Sequence, residues 1–203
     1  KLDELKRAKG QEALAVEWAG RGRMLLEQPK LNIADALAWQ RDAAKAGAPL
    51  SREPLAGIKT QLAERVKGIE DLQHRVQVQR EAAVLLAQRI EVLSTKSWKD
   101  AHAATEALGT DAQAWKQQAD VLTTDSNWAS LDLRFPGLLD ASKGQLMAVW
   151  AAFEAAVAQA LAASTDPQAP LPPVPVWAQE LRPQREAAPV PESRPAVPKV
   201  APE

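Results

Sequence analysis

A seven-residue step through the middle of the chain constrains its fold more than any other feature. From Leu55 the step reads Leu55, Leu62, Ile69, Val76, Ala83, Ile90, and from Ile58 it reads Ile58, Arg65, Leu72, Gln79, Leu86, Leu93. Ten of these twelve positions are apolar, which is an a/d heptad seam. The residues between them are mostly Glu, Gln, Lys, Arg and Ala, good helix formers, and no proline interrupts the stretch after Pro54. The pattern predicts one helix from Ser51 to Thr95, about 65 Å long at 1.5 Å per residue. Ser51 is its expected N-cap, with Pro54 in the first turn, where a missing N–H costs nothing. Such a seam is buried only if other helices lie along it. Arg65 and Gln79 are polar intrusions at d positions, expected to mark register or the place where a partner helix ends. His74 falls off the seam, at an f position.

The flanking sequence supplies partners. Residues 1 to about 28 predict a helix with an imperfect apolar face of Leu2, Leu5, Ala8, Ala13, Val16 and Leu25. A kink or break is expected at Gly20-Arg21-Gly22-Arg23, because each glycine costs about 1 kcal/mol in a helix interior. Pro29 ends that helix. Asn32 as N-cap, Asp35 three residues on, Gly47 past the end and Pro49 beyond it form a full start and stop signal for a second helix. Ser97, with Asp100 following, predicts a new helix. It either closes at Gly109, with another opening at Thr110-Asp111, or continues through as a kink. Residues 123 to 139 read as an extended packed loop or a single helical turn, and Asp140 as the cap of a last helix to about Ser164. Beyond Asp166 lie eleven of the fifteen prolines, composition that favours polyproline II over helix or sheet. Val174, Val176, Trp177 and Leu181 are candidates to fold back on the helices. Prolines 167, 170 and 173 have the PxxP spacing of a ligand for a proline-binding domain, although a linker is the commoner meaning.

The expected fold is all-α: an antiparallel helical bundle or coiled-coil-like arrangement around one long central helix, ending in a disordered Pro-rich tail. The expected divisions are an N-terminal helical pair over 1–50, the long helix with Trp-anchored helices over 51–166 sharing one core with it, and a Pro-rich tail or linker over 167–203. The candidate core or interaction anchors are Leu55, Leu62, Ile69, Leu72, Val76, Leu86 and Ile90 on the seam, then Trp98, Trp115, Trp128, Trp150 and Phe153.

Composition excludes some chemistry. With no cysteine there are no disulfides, no thiol catalysis and no Cys-based metal site, which suits a cytoplasmic protein. The formal charge of −1 argues against a general nucleic-acid or membrane-surface binder. Residues 1–50 carry nine Lys/Arg against seven Asp/Glu, so any basic surface is local. No apolar run approaches the roughly 18 residues of a membrane span. The longest low-charge stretch, Gln145 to Thr165, is rich in alanine. No nucleophile elbow, phosphate loop or dinucleotide fingerprint is present, and His74 and His102 have no ligand-like company. No catalytic residue, metal site or cofactor is therefore assigned, and no small-molecule substrate is evident. The expected role is a non-enzymatic scaffold or protein-interaction module with a protein partner; the alternative is nucleic-acid or ribosome association.

Trp98-Lys99 opening a helix, Trp115-Lys116, a loop through Pro136 and then Val149-Trp150-Ala151-Ala152-Phe153 follow one another over about residues 82–163. In this order they resemble the repeat unit of a bacterial helical family, the domain of unknown function 349 family. The resemblance implies a degenerate unit or flanking region within a longer, multi-unit cytoplasmic protein, and it brings no catalytic residues.

Overall fold

The computed structural model describes residues 1–183, and every regular element among them is helical. Five α-helices follow one another: α1 (Leu2–Glu27), α2 (Ile33–Lys45), α3 (Leu55–Val92), α4 (Trp98–Thr123) and α5 (Arg134–Thr165). Single 3-10 segments cover Leu93–Thr95, Trp128–Ser130 and Val176–Leu181.

The seam lies inside. Leu55, Ile58, Leu62, Ile69, Leu72, Val76, Ala83, Leu86, Ile90 and Leu93 are all buried, as is Gln79, and α3 touches every other α-helix. The first half of α3 carries α1 and α2, and the second half carries α4 and α5. Cross-helix pairs give the directions. Arg89 meets Asp111 while Arg75 meets Asp125, so α4 runs antiparallel to α3. Lys143 meets Asp120 while Trp150 covers Gly109, so α5 runs antiparallel to α4. A single cluster of buried residues extends from Trp18 to Ala178.

The second helix ends as its signals require. Asn32 Oδ1 accepts the Ala34 N–H at 2.9 Å. At the other end Gly47 has φ 77°, with Gly47 N–H on the Ala44 carbonyl and Ala48 N–H on the Ala43 carbonyl. That pair of bonds is a Schellman ending, which satisfies carbonyls the helix itself leaves unpaired. Ser97 Oγ likewise accepts the Asp100 N–H at 3.2 Å, opening α4.

Several expectations are corrected. The long helix starts at Leu55, because Ser51–Pro54 form turns and Ser51 caps nothing. Its α-helical part stops at Val92 and tightens to a 3-10 turn through Thr95. There is no break at Gly20–Gly22. A Cβ on Gly22 would lie 2.5 Å from Ile58 Cγ2 and 3.0 Å from the Trp39 ring, so the glycine lets three helices approach closely and α1 continues through it. The apolar face expected on α1 is not its buried face: Leu2, Leu5 and Val16 are exposed, and Trp18, Ala19 and Gly22 are buried. Packing on α1 begins at Leu14, and residues 1–13 are all exposed. Of the two readings at Gly109, α4 follows the continuous one, with the Trp150 ring lying over that glycine.

Asp140 is not a cap. The last helix starts six residues earlier at Arg134, whose N–H is taken by Asp132 Oδ1 at 3.0 Å. Pro136 sits in its first turn, where no N–H is needed. Leu131 and Phe135 are buried and Leu133 is 81% exposed, an alternation produced by a loop entering a helix. On length and hydropathy α5 also corrects the expectation about membrane spans. Its best window has mean hydropathy 1.6, and only 22% of that window is buried. Much of that hydropathy comes from alanine, while Leu146, Phe153, Ala160 and Ala163 form its buried face.

Of the four residues expected as candidates to fold back from the Pro-rich segment, Trp177 is buried and Leu181 partly so, while Val174 and Val176 are exposed. Trp177 and Ala178 are both 0% exposed, so residues 167–183 belong to the packed part of the chain. The PxxP spacing is interrupted too: Pro167 lies in a turn closed by the Ala169 N–H on the Asp166 carbonyl, so prolines 167, 170 and 173 do not share one uninterrupted extended run. The rest of the tail, 184–203, lies outside the described residues.

Candidate interaction surface

Indole N–H groups join the helices of this protein. Trp39 Nε1 donates to the Trp18 carbonyl at 2.9 Å, tying α2 to α1. Trp115 Nε1 donates to the Gln79 carbonyl at 2.7 Å, and Gln79 Nε2 donates back to the Trp115 carbonyl at 2.9 Å. Gln79 therefore forms a reciprocal pair across α3 and α4, with both residues buried and the amide and indole N–H groups each paired. A carbonyl has two lone pairs, so each can accept the indole or amide donor and keep its own helical bond. Trp98, Trp128 and Trp150 are half-buried, whereas Phe153 is buried.

Arg65, the other intrusion on the seam, sits where α1 ends. Its Nη1 donates to the Leu26 carbonyl and its Nη2 to the Gln28 carbonyl, both at 2.6 Å. The last turn of α1 contains no basic residue of its own, so Arg65 supplies the cation that its carbonyls and dipole favour. Arg65→Met, which keeps the stem and removes the fork, should cost about 1–2 kcal/mol in denaturant unfolding. Arg65→Lys should recover less than half of that, because an ammonium cannot span two carbonyls as a guanidinium does. A lysine variant as stable as wild type would rule the fork out.

The uncovered face of α3 carries an apolar stripe among exposed charges such as Glu81, Arg89 and Glu91. The c positions of the heptad are Gly57, Glu64 and Asp71 along the first half of α3, then Val78, Leu85 and Val92 along the second. These last three are 49%, 62% and 48% exposed, on the side of α3 turned away from its seam. On one side of the stripe a shallow groove runs between α3 and α5, where Val84, Ala87, Leu146 and Val149 are joined by Gln88, Glu91 and Gln145. On the other, Val78, Ala114, Val121 and Leu122 line a groove between α3 and α4 together with Arg75, Gln117 and Gln118. On α5, Ala148 borders the first groove, and Ala151, Ala152, Ala155, Ala158 and Ala162 are also exposed, with Glu154 the single charge in that helix after Lys143. The seven-residue spacing of Val78, Leu85 and Val92 is a signal the sequence reading passed over.

Among the described residues no group of three or more His, Asp or Glu side chains is placed to hold a metal ion. His102 stands beside the Trp98 ring, 5.1 Å between centroids, and His74 is exposed. Comparison of the chain with protein-family models, with curated proteins and with solved structures gives no match.

Proposed function

We propose that this chain is a non-enzymatic helical scaffold and protein-interaction module, arranged as an antiparallel, coiled-coil-like bundle about α3. The observation that carries the reading is the change at the c positions of α3. Where α1 and α2 flank the helix, the outward stripe is Gly, Glu and Asp; where α4 and α5 flank it, the stripe is Val, Leu and Val. Apolar residues placed in register on an outward face, next to two grooves and an uncharged alanine surface, form the kind of patch that partner proteins cover. The order of tryptophan anchors along α4 and α5 supports membership of the bacterial domain of unknown function 349 family. The lack of cysteine agrees with work in the cytoplasm, and the family resemblance implies a unit of a longer protein.

The test is a double substitution, Leu85→Glu with Val92→Glu. Both side chains are exposed, so melting should change by less than about 1 kcal/mol equivalent. Affinity capture from the native cell should lose a protein that the wild type retains, and that protein should form a complex of fixed stoichiometry with the purified wild-type chain. Unchanged capture would refute the surface. Retention of RNA alone, lost at higher salt, would replace it with the nucleic-acid reading.

A further inference from the structure

Residues 166–182 pack against the helices much as a bound peptide would. Five prolines lie from Pro167 to Pro175, and the backbone–backbone hydrogen bonds of the segment are local: Ala169 to Asp166, Ala178 to Pro175, Arg182 to Gln179. Two side chains, three residues apart on one 3-10 turn, bond it to the α3–α4 corner, while Gln159 Nε2 of α5 donates to the Pro170 carbonyl at 3.4 Å and Ala178 is buried beside them. Trp177 is wholly buried, its ring 4.7 Å from that of Trp98 and edge-on to Phe153 at 6.4 Å. Its Nε1 donates to the Leu93 carbonyl at 2.9 Å, at the end of α3. Glu180 Oε2 accepts the N–H of Trp98 at 3.0 Å, at the start of α4.

The recognition is chemically specific. The carbonyl end of one helix reads an indole donor, and the N–H end of the next reads a carboxylate. Pro172 and Pro175 are buried beside them, while Pro170, Pro173, Val174 and Val176 face solvent. Proline restricts the unbound segment to few conformations, so seating it costs less order than seating a flexible chain.

We propose that the α3–α4 corner is a peptide-binding socket for a proline-rich Trp-x-x-Glu segment, occupied in cis by the chain's own residues 177–180. On this proposal the strap completes the core with Trp177 and Ala178 yet behaves as a displaceable ligand of the helical body, so the socket accepts the same peptide chemistry in trans once the strap is displaced. The socket is inferred independently of the α3–α5 surface, whose Val92 adjoins the Leu93 acceptor.

The experiment uses the full chain with Trp177→Ala and a fluorescent synthetic peptide of residues 169–183, followed by anisotropy. Saturable binding is expected, at least about tenfold tighter than to the wild-type chain, whose socket is filled. A peptide carrying Trp177→Ala should not bind, and one carrying Glu180→Gln should bind about tenfold more weakly, as expected for loss of a charge-assisted hydrogen bond. In a second protein, a protease site inserted between Gln168 and Ala169 allows the strap to be cut. The cut strap should stay associated, exchange with labelled peptide, and leave the helical circular dichroism intact. The proposal is overturned if folded Trp177→Ala protein fails to bind the peptide, or if wild type binds it equally well. It is equally overturned if both altered proteins lose their helical signal, because the strap would then be part of the fold.

Discussion

Replacing Val76 with aspartate should remove at least about 4 kcal/mol of stability, and Leu72→Asp should do the same. Val76 is 0% and Leu72 1% exposed, in the part of α3 where the seam faces the second set of helices. Each substitution removes a burial contribution of about 1.5–3 kcal/mol. Each also leaves a carboxylate in an apolar setting, which costs several kcal/mol more unless it takes up a proton. Together these exceed about 4 kcal/mol, against a total stability of about 5–15 kcal/mol for an ordinary domain. The control sits on the same helix. His74 and Gln77 are exposed, and His74→Asp or Gln77→Asp should shift stability by no more than about 0.5 kcal/mol. Helical circular dichroism and thermal melting separate the two pairs. A Val76→Asp protein that melts like the Gln77→Asp protein would show that the seam is not the core.

The contrast between these pairs rests on periodicity, and periodicity is the part of the fold that could be read in advance. A seven-residue apolar step fixes which face of a long helix turns inward, whatever packs against it. Local chemistry was equally readable where a side chain answers its own backbone. Asn32 and Ser97 cap the helices they precede, and Gly47 takes the left-handed conformation that ends α2. Features set by distant parts of the chain could not be read this way. Gly22 looks like a helix breaker along the sequence, and only Ile58 and Trp39 show it to be a contact point. Leu2, Leu5 and Val16 look like an inward face, yet α1 meets its partners over a different set of residues. Ser51 has the chemistry of a cap, but the chain turns three residues longer before entering α3.

The candidate site divides along the same line. The anchors Leu55 to Ile90 follow from the seam, and the structure buries each of them. Their burial identifies a core, whereas a binding surface must remain outside it, so the outward stripe at Val78, Leu85 and Val92 is the better candidate. It has the same spacing as the seam, displaced by two residues, and it becomes apolar only in the half of α3 that carries α4 and α5. Trp177 was legible as a residue able to fold back from proline-rich surroundings, because an indole's apolar area and single donor favour docking, whereas its fellow candidates Val174 and Val176 stay exposed.

Trp115→Ala should be the most costly truncation in the second half of the molecule, at about 3–5 kcal/mol. Trp115 is 4% exposed and joins α4 to α3 by its ring and by the N–H on the Gln79 carbonyl. Trp115→Phe keeps most of the ring area and loses the donor. Because the Gln79 carbonyl can retain its helical partner, that variant should cost about half as much, measured by chemical denaturation. Gln79→Leu tests the other side of the pair. It removes the amide that donates to the Trp115 carbonyl at 2.9 Å and substitutes an apolar group of similar size on an apolar seam. Stability should then change by less than about 1 kcal/mol in either direction. If the pair sets the register of α4 on α3, the effect will appear as a loss of uniqueness: broadened amide resonances along both helices and faster hydrogen exchange near Gln79, with the melting temperature nearly unchanged. Sharp, wild-type-like spectra for Gln79→Leu would mean that the indole alone holds the register. A Trp115→Ala protein as stable as wild type would mean that neither group does, and that the seam sets the position of α4 unaided.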